Sequence, residues 1–262
     1  MKRVEYSPDT PRLIPSVVLY LDLLGSREMA MSAQAQQHLQ RLHKALDEAR
    51  DFGLHRTNLD YPTYSLATFT DHIALGWPMQ GDGEAQLGPI TGEAAYYQFA
   101  LARRGFLARG GIEIGNSYFG KDFAFGRALI EAYKLESKKA IHPRIVLGDN
   151  ALALIQLHGR YYGGVDHSPY GHVLLVDEED TVFVNYLSVI NDEEMNGTIE
   201  YDTQKRLIED GLQKHQTDDH ILGKYLWLAD LYNFTNQNWH TPRSIPAAPG
   251  RHRFHNLSHY LG

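Results

Sequence analysis

Cysteine is absent from this chain of 262 residues. Its absence excludes a disulfide framework and thiolate metal sites, and it is compatible with a reducing compartment. No apolar stretch approaches the roughly 18–20 residues that a membrane-spanning helix needs. Residues 1–8 lack the apolar segment of a secretory signal. We therefore expect a cytoplasmic protein that does not associate with a membrane.

Positive charge is also scarce, since 25 Lys and Arg residues face 32 Asp and Glu residues, for a formal net charge of −7. Non-specific nucleic-acid binding needs a basic face, so we expect no nucleic-acid partner. A small anionic substrate stays compatible with this charge, because a metal ion and a few local cations can hold it. The composition is 43% hydrophobic, as in ordinary globular proteins. The length allows one large domain or a domain with an appendage.

Two aspartates stand at the ends of apolar, strand-like runs. Asp22 lies within the run 17–25, and Asp71 separates the run 65–70 from the run 72–77. A carboxylate buried in a sheet without a partner is costly. Two of them on neighbouring strands suggest a shared hard cation, because Mg²⁺ or Mn²⁺ is commonly held by carboxylates and substrate phosphates. The alternative is that both are turn or cap residues with solvated side chains.

Hydrophobic periodicity and turn residues predict an order of elements along the chain. Strands are predicted at 16–24, 64–71, 72–78, 106–115, 145–147, 173–176 and 181–186. Helices are predicted at 33–51, from Thr91 to Ala102, and at 127–139, 149–158 and 201–237. Residues 81–89, 116–125 and 238–262 are predicted to be irregular. A glycine pair in the strand 106–115 indicates either a bulge or a close approach. The order predicts an α+β fold with helices on one face of the sheet.

Four motifs follow one another in an order that resembles the class III nucleotide cyclases. They are Asp22 in the segment 21–25, Asp71 at a hairpin tip, the glycine strand 109–115 and the helical segment 125–137. In detail the chain is most similar to the branch that makes pyrimidine cyclic nucleotides, the Pycsar-type cyclases of bacterial anti-phage defence. The resemblance covers residues 14–160. It implies a ferredoxin-like βαββαβ class III cyclase core at 1–160 and a C-terminal extension at 161–262, formed by a hairpin, a long helix and an irregular tail.

The resemblance also implies a reaction. Asp22 and Asp71 would bind two Mn²⁺ or Mg²⁺ ions. One ion would lower the pKa of the ribose 3′-hydroxyl, and both would neutralise the triphosphate while the 3′-oxygen attacks the α-phosphorus and pyrophosphate leaves. The backbone amides of Leu23, Leu24 and Gly25 would lie near the phosphates. Arg109 is a further candidate for phosphate or base contact, and its alternative is a surface arginine at a strand end.

Two positions bear on the choice of base. Purine cyclases of this family read the base with a polar pair, at the positions that Ala67 and Phe123 occupy here. Neither side chain can form charge-assisted hydrogen bonds, and Phe123 would leave room for a smaller ring. Because buried polar groups discriminate bases most strongly, this pair argues against ATP or GTP. A register shifted by one residue would instead place Asp122 there and restore a purine cyclase.

The helical segment departs from the family pattern where the ribose and the transition state are held. Ile130 stands at the position of an Asn and cannot replace it, and Lys134 stands at the position of an Arg. Lys134 can bring charge to the α-phosphate as a point charge rather than a planar fork. The family assembles each site from two subunits. The resemblance therefore implies a head-to-tail homodimer, with the two aspartates from one protomer and Lys134 from its partner.

The leading functional prediction is a lyase, a uridylate cyclase that converts UTP to 3′,5′-cyclic UMP. A cytidylate cyclase acting on CTP is the close alternative, since no residue identifies the group that reads the pyrimidine. A non-catalytic nucleotide-binding dimer, a pseudo-cyclase, is the alternative from another class. If the defence role applies, the cyclic nucleotide would act on a separate effector protein.

Overall fold

The described strands of this protein form one mixed sheet in a computed structural model, which describes residues 4–56, 65–69, 72–121, 123–191, 197–237, 244–246 and 250–261. The strands are β1 (Ile14–Leu23), β2 (Ser65–Phe69), β3 (His72–Pro78), β4 (Ala108–Phe119), β5 (Ala124–Gly126), β6 (Ile145–Leu147), β7 (Leu174–Asp177), β8 (Val182–Val184) and β9 (Phe254–Asn256). The helices are α1 (Ser26–Met31), α2 (Ala35–Arg56), α3 (Glu84–Arg103), α4 (Arg127–Lys138), α5 (Asp149–Gly159), α6 (Gly197–Lys214), α7 (Asp219–Asn236) and α8 (Ser258–Leu261). Three short 3₁₀ helices cover Arg160–Tyr162, Val165–His167 and Tyr186–Asn191.

The first four strands form a ferredoxin-like unit. Their order in the sheet is β2-β3-β1-β4, and every neighbouring pair is antiparallel. Helices α1 and α2 connect β1 to β2, and α3 connects β3 to β4, which completes the βαββαβ order. The structure thus confirms the predicted α+β fold and ferredoxin-like core.

The C-terminal part continues the same sheet. Strand β6 pairs with β4 in parallel, and β8, β7 and β9 follow in antiparallel order. The predicted C-terminal hairpin is therefore present as β7 and β8. Its register places Leu175 opposite Phe183. The division into functional units at residue 160 stays a prediction.

Strand β1 is buried on both faces, so helices cover both faces of the sheet. Val17 and Leu19 lie in the main core, which also contains apolar residues of α3 and α5. Val18 points the other way and packs with Ala128 and Ala132 of α4. The prediction that helices lie on one face holds for α2 and α3 of the core, whereas α4 covers the other face. A nearly continuous apolar run is typical of a strand covered on both faces, and β1 is such a run.

Several segments that were predicted to be irregular form helix or strand, because tertiary contacts outweigh the local preference of turn-forming and helix-breaking residues. Helix α3 begins at Glu84, so the predicted loop 81–89 and the helix start at Thr91 were wrong. Pro89 lies early in the helix, and buried Leu87 and Ile90 hold this part of α3 in the core. The proposed loop 116–125 was also too long, since β4 extends to Phe119.

The C-terminal helical region and tail also differ from the sequence-based prediction. The single helix expected at 201–237 is two helices, separated before Asp218, whose side chain accepts a hydrogen bond from the amide of Ile221. Part of the tail forms β9, in which His255 pairs with Val176 of β7. Of the helices in the described part of the chain, none is long and apolar enough to cross a membrane.

Candidate functional site

Asp22 lies near the end of β1, between a histidine of β3 and an arginine of β4. The sheet register places it opposite His72 of β3 and opposite Arg109 of β4. Nε and Nη2 of Arg109 donate to Oδ2 of Asp22, both at 3.3 Å. Nδ1 of His72 lies 3.2 Å from Oδ1, at ion-pair distance but without hydrogen-bond geometry. The side chain of Asp22 is only 12% exposed, so the alternative of a solvated turn residue does not describe Asp22.

Glu136 joins this cluster from α4. Its Oε1 lies 2.6 Å from Nε of Arg109, although that oxygen has no hydrogen-bond partner within the described residues. The contact is therefore mainly electrostatic, since the Nε–H is aligned with Asp22. Burial raises the pKa of Glu136, while Arg109 lowers it and the negative charge of Asp22 raises it further. Arg109 thus lies between two shielded carboxyl groups.

Sequence reasoning missed Glu136, although a signal for it existed. Ala128, Ala132 and Glu136 follow at intervals of four, so they share one face of α4. Ala128 and Ala132 are fully buried against the sheet, and Glu136 is 2% exposed. A carboxylate on the apolar stripe of an amphipathic helix needs a partner, and here the partner is Arg109.

Aromatic rings border the charged cluster. Tyr20, two residues before Asp22, stacks on the His72 ring with centroids 5.5 Å apart and an interplanar angle of 28°. The Tyr133 ring of α4 meets Tyr20 edge-on at 5.6 Å. Tyr133 is 49% exposed, so a flat apolar surface is open to solvent beside the carboxylates. Such a surface can stack on a planar ligand group.

Several predicted site residues lie in different places. Asp71 and Asp122 lie outside the residues that the structure describes, so the predicted second metal ligand and the alternative purine-reading acid stay predictions. Ala67 lies on β2, where its backbone pairs with Ala74 of β3. Leu23 is buried at the end of β1, and Gly25 adopts a left-handed conformation just before α1.

The amide of Leu24 is already engaged, because it donates to the carbonyl oxygen of Leu107 at 2.9 Å. A phosphate contact from Leu24 would require this strand-end hydrogen bond to break.

Phe123 and Lys134 are solvent-accessible. Phe123 is 57% exposed and its ring lies 5.4 Å from that of Tyr118. Phe123 follows the far end of β4, whereas Arg109 lies at its beginning, and ten residues of strand span about 33 Å. Lys134 is 48% exposed and its Nζ contacts Oε1 of Glu131 at 2.9 Å. Within one protomer, the structure therefore brings Asp22 and Arg109 together and leaves Phe123 distant.

The carboxylate oxygens of the cluster fit a hard divalent cation, provided that Asp22 gives up its contacts with Arg109 and His72 to bind it. Mg²⁺ and Mn²⁺ prefer oxygen ligands and are often held by one or two protein carboxylates together with phosphates. Asp22 supplies one such carboxylate, and Glu136 can retain Arg109 when Asp22 binds a cation. Within the described ranges, no group of three or more His, Cys, Asp or Glu side chains is arranged around a common metal position.

An exposed apolar surface surrounds the outer side of α4 and β5. Ile130 is 52% exposed and Phe125 is 61% exposed, and both border a cleft that also includes Leu13 and Arg127. Apolar side chains clustered in this way are typical of protein–protein contact surfaces. The cleft lies on the same side of the sheet as Asp22, because α4 covers this face.

Comparisons with known proteins give structural likenesses only. No protein-family model matches the chain, and no curated protein matches it. The chain is similar to the crystal structure of the guanylyl cyclase Cya2, with 14% identity, a TM-score of 0.43, and coverage of 55% of this chain and 79% of that chain. It is also similar to a class III adenylyl cyclase-like ATP-binding protein from Pseudomonas aeruginosa, with 17% identity, a TM-score of 0.41, and coverage of 54% and 35%. Neither likeness bears on what this chain binds.

Proposed function

We propose that this protein is a nucleotide cyclase that converts a pyrimidine nucleoside triphosphate to its 3′,5′-cyclic monophosphate and pyrophosphate. UTP is the leading candidate substrate. One observation carries the proposal. A shielded carboxylate, Asp22, lies at a strand end of a ferredoxin-like sheet, directly beside an arginine that a second buried carboxylate holds. This is the arrangement that a metal-bound polyphosphate requires, with a ligand for the cation next to a cation for the phosphate.

Each residue of the cluster has a role in the proposal. Asp22 binds a divalent cation, together with Asp71 as the second carboxylate. Bound Mn²⁺ or Mg²⁺ supplies Lewis-acid activation of the 3′-hydroxyl and charge neutralisation. Arg109 binds phosphate oxygens beside that cation, and Glu136 keeps the guanidinium in position. Preorganised charges of this kind stabilise a transition state without reorganisation.

The proposed preference for a pyrimidine rests on Ala67 and Phe123. At the positions where a purine would be read by polar groups, these side chains offer no hydrogen-bond donor or acceptor. The exposed Phe123 ring offers a surface on which a base can stack. UTP and CTP remain the two candidates, because they differ only in the group at position 4 of the ring.

The active species in this proposal is a head-to-tail homodimer. Phe123 lies too far from Asp22 to act in the same protomer, but a partner's α4 and β5 surface can bring it close. The exposed Ile130 and Phe125 supply apolar area for this contact. Lys134 would then reach the α-phosphate bound by the partner, exchanging Glu131 for the substrate. Two-fold symmetry produces two equivalent sites.

A nucleotide-binding dimer without catalysis is the second candidate. The observation that favours it is the absence of the polar ribose contact, since Ile130 is apolar and points to solvent. Asp22 favours catalysis, because a protein that only binds nucleotide has no need of a shielded carboxylate at this strand end. The two functions differ in whether a cyclic product forms.

The test is incubation of the purified protein with ATP, GTP, CTP or UTP and Mn²⁺, with products resolved by chromatography and mass spectrometry. We expect a cyclic product from UTP, or from CTP, and none from the purines. Asp22→Asn keeps the shape of the side chain and removes its charge, so it should abolish turnover while size-exclusion chromatography shows the same oligomer. Cyclic AMP or cyclic GMP would refute the pyrimidine assignment. Nucleotide binding without any product would favour the second candidate.

In a cell, the proposed product is a second messenger that acts on a separate effector protein during phage infection. The measurement is the cellular concentration of the cyclic pyrimidine nucleotide before and after infection, with the Asp22→Asn variant as control. An unchanged concentration in cells with the wild-type protein would contradict the defence role.

A further inference from the structure

A cavity of about 670 Å³ lies between α1, α2 and the segment that leads into β4. Its larger apolar side chains are Leu23, Met29, Leu39, Leu42 and Phe106. Concave sites of about 300–1,000 Å³ with a mainly apolar lining and a few polar groups are typical of small-molecule binding sites. The size and the lining of this cavity therefore suit a small ligand with an apolar body.

The floor of the cavity is preformed. Leu23 and Phe106 are 4% and 2% exposed, and they belong to one hydrophobic cluster against which Met29 and Leu42 pack. The guanidinium carbon of Arg41 lies 5.4 Å from the centre of the Phe106 ring, which adds a cation–π contact. A floor that core packing already holds in place does not have to be ordered when a ligand binds.

The cavity is separate from the proposed nucleotide site. Leu23 directly follows Asp22 in β1, and successive side chains of a strand point to opposite faces of the sheet. Asp22 contacts Arg109 on the face that α4 covers, whereas Leu23 packs with residues of α2 on the other face. A ligand in this cavity would therefore not occupy the place of the triphosphate.

The polar part of the lining is positively charged. Arg27 is exposed and forms no ion pair within the described part of the chain, and Nδ1 of His38 is shielded there without a hydrogen-bond partner. Among the described residues that line the cavity, none is Asp or Glu. Leu39, which is 59% exposed, leaves an apolar side chain open to solvent beside these groups. The lining thus complements a ligand that joins a hydrocarbon part to a negative charge.

We propose that this cavity binds a small amphipathic carboxylic acid, with its hydrocarbon part on Leu23, Leu42 and Phe106 and its carboxylate on Arg27. Arginine suits this role, because its planar guanidinium can donate two parallel hydrogen bonds to one carboxylate. The hydrocarbon part removes apolar surface from water on both sides of the contact. This inference does not depend on the proposed function.

The test uses octanoate, titrated calorimetrically into the full-length protein below its micellar concentration, with octan-1-ol as the uncharged counterpart. We expect Arg27→Met to raise the dissociation constant of octanoate about tenfold, as for the loss of one charged hydrogen bond, and to leave that of octan-1-ol unchanged. Arg160→Met is the matched control, since it removes an exposed arginine that lines no part of the cavity, and both affinities should equal those of the wild type.

A second variant tests the place of binding. Ala35 lines the cavity at the start of α2, so Ala35→Phe should fill part of it and weaken the binding of both ligands. Thermal unfolding of each variant shows whether a loss of binding reflects a loss of folding. Unchanged binding to folded Ala35→Phe would place the ligand elsewhere and overturn the inference.

Three other results would also overturn it. Equal losses of octanoate and octan-1-ol in Arg27→Met would mean that Arg27 shapes the cavity and does not bind a carboxylate. A loss of octanoate binding in Arg160→Met would indicate a general effect of net charge. Absence of octanoate binding to the wild type, together with a dimer that Ala35→Phe dissociates in analytical ultracentrifugation, would assign the cavity to a second copy of this chain.

Discussion

The glycine at position 111 sets how closely α4 packs on the sheet, and replacing it should displace the helix that holds Glu136. A Cβ atom at Gly111 would lie 2.4 Å from the carbonyl oxygen of Ala132 and 2.7 Å from Cβ of Leu135. Ordinary contact begins near 3.4 Å, so Gly111→Ala requires a retreat of 3.4 − 2.4 = 1.0 Å. Backbone atoms make the closest contact, so rotation of a side chain cannot relieve it.

Gly115 on the same face of β4 offers a matched control. A Cβ atom there would lie 3.5 Å from Cβ of Ala128, which is ordinary contact with the same helix. Overpacking costs about 1–3 kcal/mol, so we expect Gly111→Ala to lower the free energy of unfolding by about 2 kcal/mol. Gly115→Ala should leave it unchanged or raise it by up to about 1 kcal/mol, since alanine reduces the entropy of the unfolded chain.

Urea denaturation followed by tryptophan fluorescence measures this difference. Equal midpoints and equal slopes for the two variants would refute the reasoning, because they would mean that α4 accommodates a methyl group at Gly111. Turnover offers a second readout. A shift of about 1 Å at Glu136 and Arg109 should reduce catalysis by as much as about a hundredfold, while Gly115→Ala should not.

Three further predictions concern pH, a buried ion pair and assembly. Burial against Trp227 lowers the pKa of His142 from 6.5 to about 4. The free energy of unfolding should therefore fall by as much as about 3 kcal/mol as the pH falls from 6.5 to 4, because the unfolded state then binds the proton more tightly. His142→Phe should remove this loss in urea titrations. A persistent loss in that variant would assign it to another group. Arg144→Met should lower the free energy of unfolding by about 3 kcal/mol, because Asp177 loses its buried partner, and Arg144→Met combined with Asp177→Asn should recover part of it. Ile130→Asp should convert the proposed homodimer to a monomer in analytical ultracentrifugation, and an unchanged mass would contradict the assigned interface.

Much of the core could be predicted from the sequence, because its signals are local. The apolar run that ends at Asp22 predicted β1 to within two residues, and the amphipathic segment after Gly126 predicted α4 to within one. The alternation of strands and helices predicted the α+β class, and the resemblance to the class III cyclases supplied the ferredoxin-like order. Local signals failed where a helix-breaking residue lies inside a helix, as Pro89 does in α3. Burial of the residues around Pro89 outweighs the backbone hydrogen bond that proline cannot donate.

The sequence by itself determined which residues could form a site, and the tertiary structure decided which of them meet. Asp22 and Arg109 are 87 residues apart, and only the antiparallel register of β1 and β4 places them opposite each other. Glu136 reaches them because glycine at 111 allows α4 to lie close to the strand. Hydrophobic periodicity acts over a few residues, whereas strand register and helix docking depend on the packing of the whole core, so these contacts follow from the fold alone.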